Sequence, residues 1–302
     1  MADSPLKEED MENLIIAIIT QSLTFIPLAF GISISYRLLR ATDMTLDGSF
    51  VLGAAVFAKL VTLGISPAFA GIVALLAGSS AGIMVSLIQR GGRVDPLLAG
   101  VLATFILTSV NLALMGRPNI NLLSQHTLLS SAFARSDLDG WMLVAAYCAA
   151  FCGLSCLLLR TRFGLILRAL GDNPRLLQTL GSSVEYYRMA GFAFTNTLAA
   201  ASGILMAQTV GYADIGMGFG MTLTGIGAII LGQQLLSAII KTSRIRVATE
   251  FSACLLGVIL YFFAINGLLH LDINPVYLKM ILGCMLIIFL RTAVRPDARS
   301  FA

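Results

Sequence analysis

Charge is the first thing this sequence is short of. Asp, Glu, Lys and Arg make up 12% of its 302 residues, about half of the roughly 25% carried by soluble domains. That shortage excludes a disordered chain, a coiled coil and an ordinary soluble enzyme. Histidine occurs twice, at His126 and His270, with no partner at metal-ligand spacing. The five cysteines, at 148, 152, 156, 254 and 284, all lie in apolar stretches. No loop carries a pair, so neither a disulfide framework nor a zinc knuckle can be read. Cys148, Cys152 and Cys156 share one helical face, where buried cysteine acts as a small apolar residue. A basic leader is missing too. Residues 1–13 hold Asp3, Glu8, Glu9, Asp10 and Glu12 against Lys7, the opposite of a secretory signal. The net charge of +4 is too weak to argue for nucleic acid.

Apolar residues are what the chain has instead, at 57%, with a mean hydropathy of +0.88. They gather in nine runs: 14–36, 48–64, 68–88, 97–115, 141–159, 189–210, 221–240, 249–270 and 277–290. A membrane-crossing helix needs about 17–25 such residues, and all but the last run supply them. Lys279, near the start of that short run, is expected to snorkel. Backbone in hydrocarbon must bond within its own segment, and Leu/Ile/Ala/Gly richness fits helix packing rather than a barrel. The fold class expected is therefore all-α: a polytopic transmembrane bundle of about nine spans (eight to ten), with residues 1–302 forming one membrane-embedded domain. A re-entrant piece within 208–224 is expected as the source of any tenth span.

Lys and Arg set the orientation. With the N-terminus outside and the C-terminus cytoplasmic, 15 of the 20 basic residues fall inside, 4 outside and Lys59 within a span. The basic segment 160–188 is then cytoplasmic. Within it, Asn173 is a good N-cap, Pro174 fits the first helical position and Gly181 the C′ position. Leu176, Leu177 and Leu180 make an apolar face at helical spacing. So short a helix is marginal alone in water, and is expected to dock, either on its own protein or on a cytoplasmic partner.

The stretch Thr161-Arg162-Phe163-Gly164, through Arg168-Ala169-Leu170-Gly171-Asp172-Asn173-Pro174, to Leu180-Gly181 resembles the coupling loop of ABC-importer permeases, in the group that includes branched-chain amino acid and ribose permeases. The resemblance extends over most of the chain, through Arg40-Ala41-Thr42-Asp43-Met44-Thr45-Leu46-Asp47-Gly48-Ser49-Phe50, Asp95-Pro96-Leu97-Leu98-Ala99-Gly100, Met115-Gly116-Arg117-Pro118-Asn119 and Gly211-Tyr212-Ala213-Asp214-Ile215-Gly216-Met217-Gly218. It implies that the short helix sits in a groove of an ATPase subunit, with Arg168, Gly171, Asp172, Asn173, Pro174, Leu176, Leu177, Leu180 and Gly181 as coupling residues. It also implies that segment 43–50 lies near the translocation path. Where the family pattern has an acid after Leu-Gly, this chain has Gln233, so that acid's role is not carried over.

Polar groups at membrane depth are costly and usually face protein or water. Asp43, Asp47, Asn111, Asn196, Gln208 and Asp214 are the pathway candidates; Gln233 and Asn266 also lie in spans. Asp47 reads equally as an N-cap of its own run. Asn111 and Asn196 read as interhelical hydrogen bonds. Gln208 and Asp214 bracket Gly211, where a Gly-broken chain cannot be a plain span. The glycines at 211–232 are not a nucleotide loop, since no strand precedes them and no Gly-Lys-Ser/Thr follows. Gly216 and Gly220 have the spacing of a small-residue packing pair.

The expected function is the permease subunit of a bacterial ABC importer for a small, amino acid-like solute. No cofactor or metal is expected on this chain; ATP and Mg belong to a partner ATPase, because no Walker A sequence is present. The expected partners are two ATPase copies, an external solute-binding protein and a second permease copy. The alternative is an ion-coupled secondary transporter, against which the acids stand near span ends rather than mid-span.

Overall fold

The structure, a computed structural model, describes residues 5–92, 94–239 and 247–271, and six single positions between 277 and 287. The helices are α1 (Pro5–Ser33), continued by a π-helical turn (Ile34–Leu38), then α2 (Thr45–Thr62), α3 (Pro67–Ile88), α4 (Pro96–Met115), α5 (Leu128–Phe133), α6 (Asp137–Arg160), α7 (Arg162–Asp172), α8 (Pro174–Thr179), α9 (Val184–Val210), α10 (Met221–Ile239) and α11 (Val247–His270). Two short strands, β1 (Asn119–Asn121) and β2 (Tyr212–Asp214), pair antiparallel, with Ile120 opposite Ala213. Eight helices among the described residues are long and apolar enough to cross a membrane. The protein is an all-α polytopic bundle, and of the run 277–290 only six single positions are among the described residues.

Local chemistry sets the helix ends. Asp95 caps α4, accepting from the Leu97 amide at 2.9 Å, with Pro96 opening the helix. Gly116 closes it at φ 72°, a left-handed conformation that other residues rarely adopt.

By internal packing the chain forms two compact units. One runs Leu23–Ile226 and is built around α2, which is buried along most of its length against α3, α4 and α9. Lipid offers no hydrophobic drive to join helices, so small residues let backbones touch. A Cβ on Gly53 would stand 2.6 Å from the Ala200 Cα, and one on Gly82 would overlap the Phe192 carbonyl of α9. The outer face of α3 exposes Phe69, Ile72, Leu76, Ile83 and Leu87, a helically spaced apolar stripe suited to lipid.

The other unit takes in the described residues up to Ser22 and from Gly227 on. There α10 and α11 cross on small residues. A side chain on Gly232 would overlap the Ala253 carbonyl, and one on Gly257 that of Ala228. Asn266 Nδ2 donates to Gln21 Oε1 at 3.0 Å.

The glycine pairing expected from sequence is not the one observed. Gly220 has φ +79° and nothing lies within 4 Å of where a Cβ on it would stand, while a Cβ on Gly216 would meet only the Asp214 carboxylate, at 3.1 Å. These two shape a turn; Gly218 and Gly232 make the close approaches.

Candidate translocation and coupling sites

The coupling candidates gather at the end of the bundle where α9 begins. Loop 160–188 holds two helices rather than the single one read from the sequence. The first, α7, buries Gly164, Leu167 and Leu170. Its Gly171 lies so close to the π-helical turn that a Cβ would overlap the Leu38 carbonyl. Asp172, the last residue of α7, pairs with Arg40 at 2.6 Å. Arg40 has φ 49°, a positive value found at no other non-glycine among the described residues. Such a conformation costs on the order of 1 kcal/mol and marks where the chain turns from the π-helical turn toward α2. Arg168 is half-buried on α7.

α8 follows directly. Asn173 Oδ1 accepts from the Leu176 amide at 3.2 Å and Pro174 occupies the first turn. Gly181 has φ +75° and donates to the Gln178 carbonyl at 3.0 Å. The leucine face divides: Leu177 is 5% exposed and points into the protein, whereas Leu176 and Leu180 are 52% and 70% exposed. One leucine docks the helix on its own protein and two are left uncovered.

The pathway candidates converge in part on the first turn of α2. Asn196, fully buried on α9, donates from Nδ2 to Asp43 Oδ2 and to the Phe192 carbonyl, both at 2.9 Å, and its Oδ1 accepts from the Ser49 hydroxyl at 2.6 Å. Asp43 Oδ1 accepts from the Thr45 amide at 2.9 Å, serving the free N-terminal end of α2. Thr104 of α4 donates to the Met44 carbonyl at 2.7 Å. Asn111, also on α4, donates to the Gly48 carbonyl at 3.2 Å, while its own Oδ1 has no partner. Asn111 and Asn196 thus make the interhelical bonds expected of them.

Asp47 does something different from capping its own helix. It lies inside the first turn of α2, and its carboxylate receives the start of α10. Oδ1 accepts from the Thr222 amide and hydroxyl, each at 2.6 Å, and Oδ2 from the Gly220 amide at 3.0 Å. A carboxylate at a helix N-terminus satisfies orphan N–H groups and meets the positive end of the helix dipole.

Gln208 and Asp214 lie at the opposite end of α9. Gln208 Nε2 reaches the Ile204 carbonyl at 3.5 Å and its buried Oε1 has no partner. Asp214 accepts from the Gly216 amide at 2.7 Å and from Asn119 Nδ2 at 3.5 Å, joining the two strands by their side chains. Within 208–224, where a re-entrant piece is expected from the sequence, no separate helix of membrane-crossing length stands among the described residues. From Gly211, at φ 83°, the chain runs through β2 and a 3-10 turn (Ile215–Gly218) packed on α2, reaching the Asp47 carbonyl at Gly218. Irregular backbone at membrane depth is tolerated where protein buries it or where it lines a cavity.

Sequence reasoning missed Ser49, Thr222 and Arg40. Ser49 stands beside Asp47 in the Asp47-Gly48-Ser49 motif; Thr222 follows the Gly-rich turn as a cap residue would. Nothing local marks Arg40. Among the described residues, no group of three or more His, Cys, Asp or Glu could hold a metal ion.

Residues 14–290 match the family described as branched-chain amino acid transport system permease component. The chain is 45% identical to the uncharacterized protein RP368 of Rickettsia prowazekii (strain Madrid E), over 94% of this chain and 99% of that one. It is 34% identical to the tyrosine transport system permease protein of Clostridioides difficile (strain R20291), over 92% and 90%, and 25% identical to the ribose import permease protein RbsC of Escherichia coli (strain K12), over 90% and 79%. The chain belongs to the branched-chain amino acid transport system permease family. It is a polytopic inner-membrane permease component of an ABC-type importer for a small solute, partnered by ATPase subunits; the family's general architecture also includes a solute-binding protein.

Proposed function

We propose that the chain conducts an amino acid-like solute, released by an external binding protein, through a dimer of permease copies, and that α8 is the contact through which the ATPase drives it. The observation that carries this reading is the divided face of α8. A helix of six residues holds its place with the buried Leu177 and a capped start, and leaves Leu176 and Leu180 uncovered. The relative named for tyrosine transport, at 34% identity across nearly the whole chain, supports an amino acid, aromatic ones included, as the solute. The C-terminus is taken as cytoplasmic on the basic-residue distribution.

In this reading the α8 end lies in the cytoplasm. Motion of α8 reaches the first turn of α2 through Asp172, Arg40 and the 39–44 segment, and Asp47 passes it to the start of α10. Asp47, Gln208 and Asp214 line the solute route; Asp43, Asn111 and Asn196 hold its wall together.

The test is a pull-down from mild detergent, with ATP-driven solute uptake in proteoliposomes as a second readout. The wild-type chain is expected to retain its ATPase. The doubly substituted Leu176→Asp, Leu180→Asp chain is expected to fold, elute as wild type on gel filtration, and lose both ATPase and uptake. Full retention of the ATPase by that variant would remove α8 from the interface.

A further inference from the structure

A cavity of about 280 Å³ opens where the end of α3 meets the start of α9. Leu87, Arg90, Glu185, Tyr186, Arg188 and Met189 line it. Its charges do not cancel. Arg90 Nε pairs with Glu185 Oε2 at 2.6 Å, which accounts for one guanidinium. Arg188 is half-buried and meets no carboxylate among the described residues. A guanidinium held part-way out of water without a counter-charge is a ready phosphate ligand, since its planar fork matches phosphate oxygens.

Ser86 and Ser183 add hydroxyls to the lining, Leu87 and Met189 make the rest of it apolar, and the mouth continues onto lipid-suited surface. Leu87 belongs both to the cavity lining and to the exposed stripe Phe69, Ile72, Leu76, Ile83, Leu87 along α3. Tyr186 is exposed at the rim, as aromatic residues are where hydrocarbon gives way to water. A free phosphate ester would gain nothing from the stripe, whereas a molecule with both a phosphate and an acyl chain would use the whole surface.

We propose that this cavity binds the headgroup of an anionic phospholipid, with its phosphate on Arg188 beside the Arg90–Glu185 pair and an acyl chain along Ile83 and Leu87. Basic pockets between spans at a membrane surface recognise anionic headgroups in this way. The inference needs only that this end of α3 meets a membrane–water boundary, and does not depend on α8 touching an ATPase or on which solute is carried.

Native mass spectrometry of the purified full-length chain tests it, with phosphatidylglycerol and phosphatidylcholine of identical acyl chains offered in turn, and sn-glycerol 3-phosphate as a chainless competitor. The wild-type chain is expected to retain phosphatidylglycerol in preference to phosphatidylcholine and to hold it against the competitor. Arg188→Ala should weaken retention about fivefold, the effect of one basic residue at a membrane surface. Arg188→Lys should keep most of it, and Glu185→Gln should strengthen it by removing the competing carboxylate. Equal retention of the two lipids overturns the proposal, as does unchanged retention in folded Arg188→Ala. Displacement by the chainless competitor would make the site one for a soluble phosphate ester, against the proposal. Should Arg188→Ala fail to fold, the comparison of wild type with Glu185→Gln decides, and no gain in that variant counts against a lipid phosphate here.

Discussion

Asn196 makes three side-chain hydrogen bonds at the centre of the larger unit. Its amide meets Asp43, Ser49 and the Phe192 carbonyl at once. Removing it by Asn196→Ala strands the Asp43 carboxylate in a buried place, and a buried charged group left short of partners costs on the order of 3 kcal/mol. A lowered midpoint in a detergent thermal-unfolding scan is the expected result, with partial recovery when Asp43→Asn is added and the buried charge removed. Asp47 makes a second residue-scale case. Asp47→Ala leaves the start of α10 without its acceptor and should cost about 1–2 kcal/mol, the usual loss for a helix cap. Asp47→Asn keeps an acceptor oxygen and should fall between. Both amides at Asn111 and Asn196 could be read as interhelical from sequence because polar groups in spans have few other outlets. The partner of Asp47 could not, since Gly220 and Thr222 lie more than a hundred and seventy positions away and no local pattern encodes that pairing.

At the scale of elements, the punctuation of α8 was legible in full. Asn173, Pro174 and Gly181 are cap residues by local chemistry, and they cap as expected. Two things were not legible. Three leucines within two turns carry no information about which way each faces, and α7 is an eleven-residue amphipathic piece whose arginines masked its buried face. The division of the leucines yields a sharp contrast. Leu177→Asp should lower stability, because a charge is forced into a buried position, whereas Leu176→Asp should leave the unfolding midpoint within about 0.5 kcal/mol of wild type, as for most surface substitutions. The Arg40–Asp172 pair gives another. Both side chains are mostly exposed, so its contribution to stability is at most about 1 kcal/mol. The charge swap Arg40→Glu with Asp172→Arg should therefore fold normally, and ATP hydrolysed per solute moved is the quantity to compare between each single substitution and the swap. The strand pair was missed for another reason: each strand has three residues, too few for alternation to show.

At the scale of the whole molecule, the apolar runs located the eight described spans because a helix that must satisfy its own backbone in hydrocarbon cannot be much shorter than the bilayer. Within each unit, glycines let helix backbones touch, and α10 and α11 show it clearly. Gly257→Leu would drive a side chain into the Ala228 carbonyl. Overpacking of this kind costs about 1–3 kcal/mol or more, and loss of a monodisperse gel-filtration peak is the expected sign. For transport, uptake should persist when the proton gradient is collapsed with ATP held constant, and stop when ATP is withdrawn.

The carboxylate of Asp47 also limits how the molecule can move. Its three hydrogen bonds tie the start of α10 to α2, and nothing else in that turn offers an anion to those amides. Separating the two segments would strip the Gly220 and Thr222 amides of their acceptor, so they are expected to move together. Because the Gly220 amide is itself part of the joint, bending on that side is expected to fall outside it, at the turn through Arg40 on the α2 side. The joint is expected to act as a rivet, with movement falling where the chain enters and leaves it.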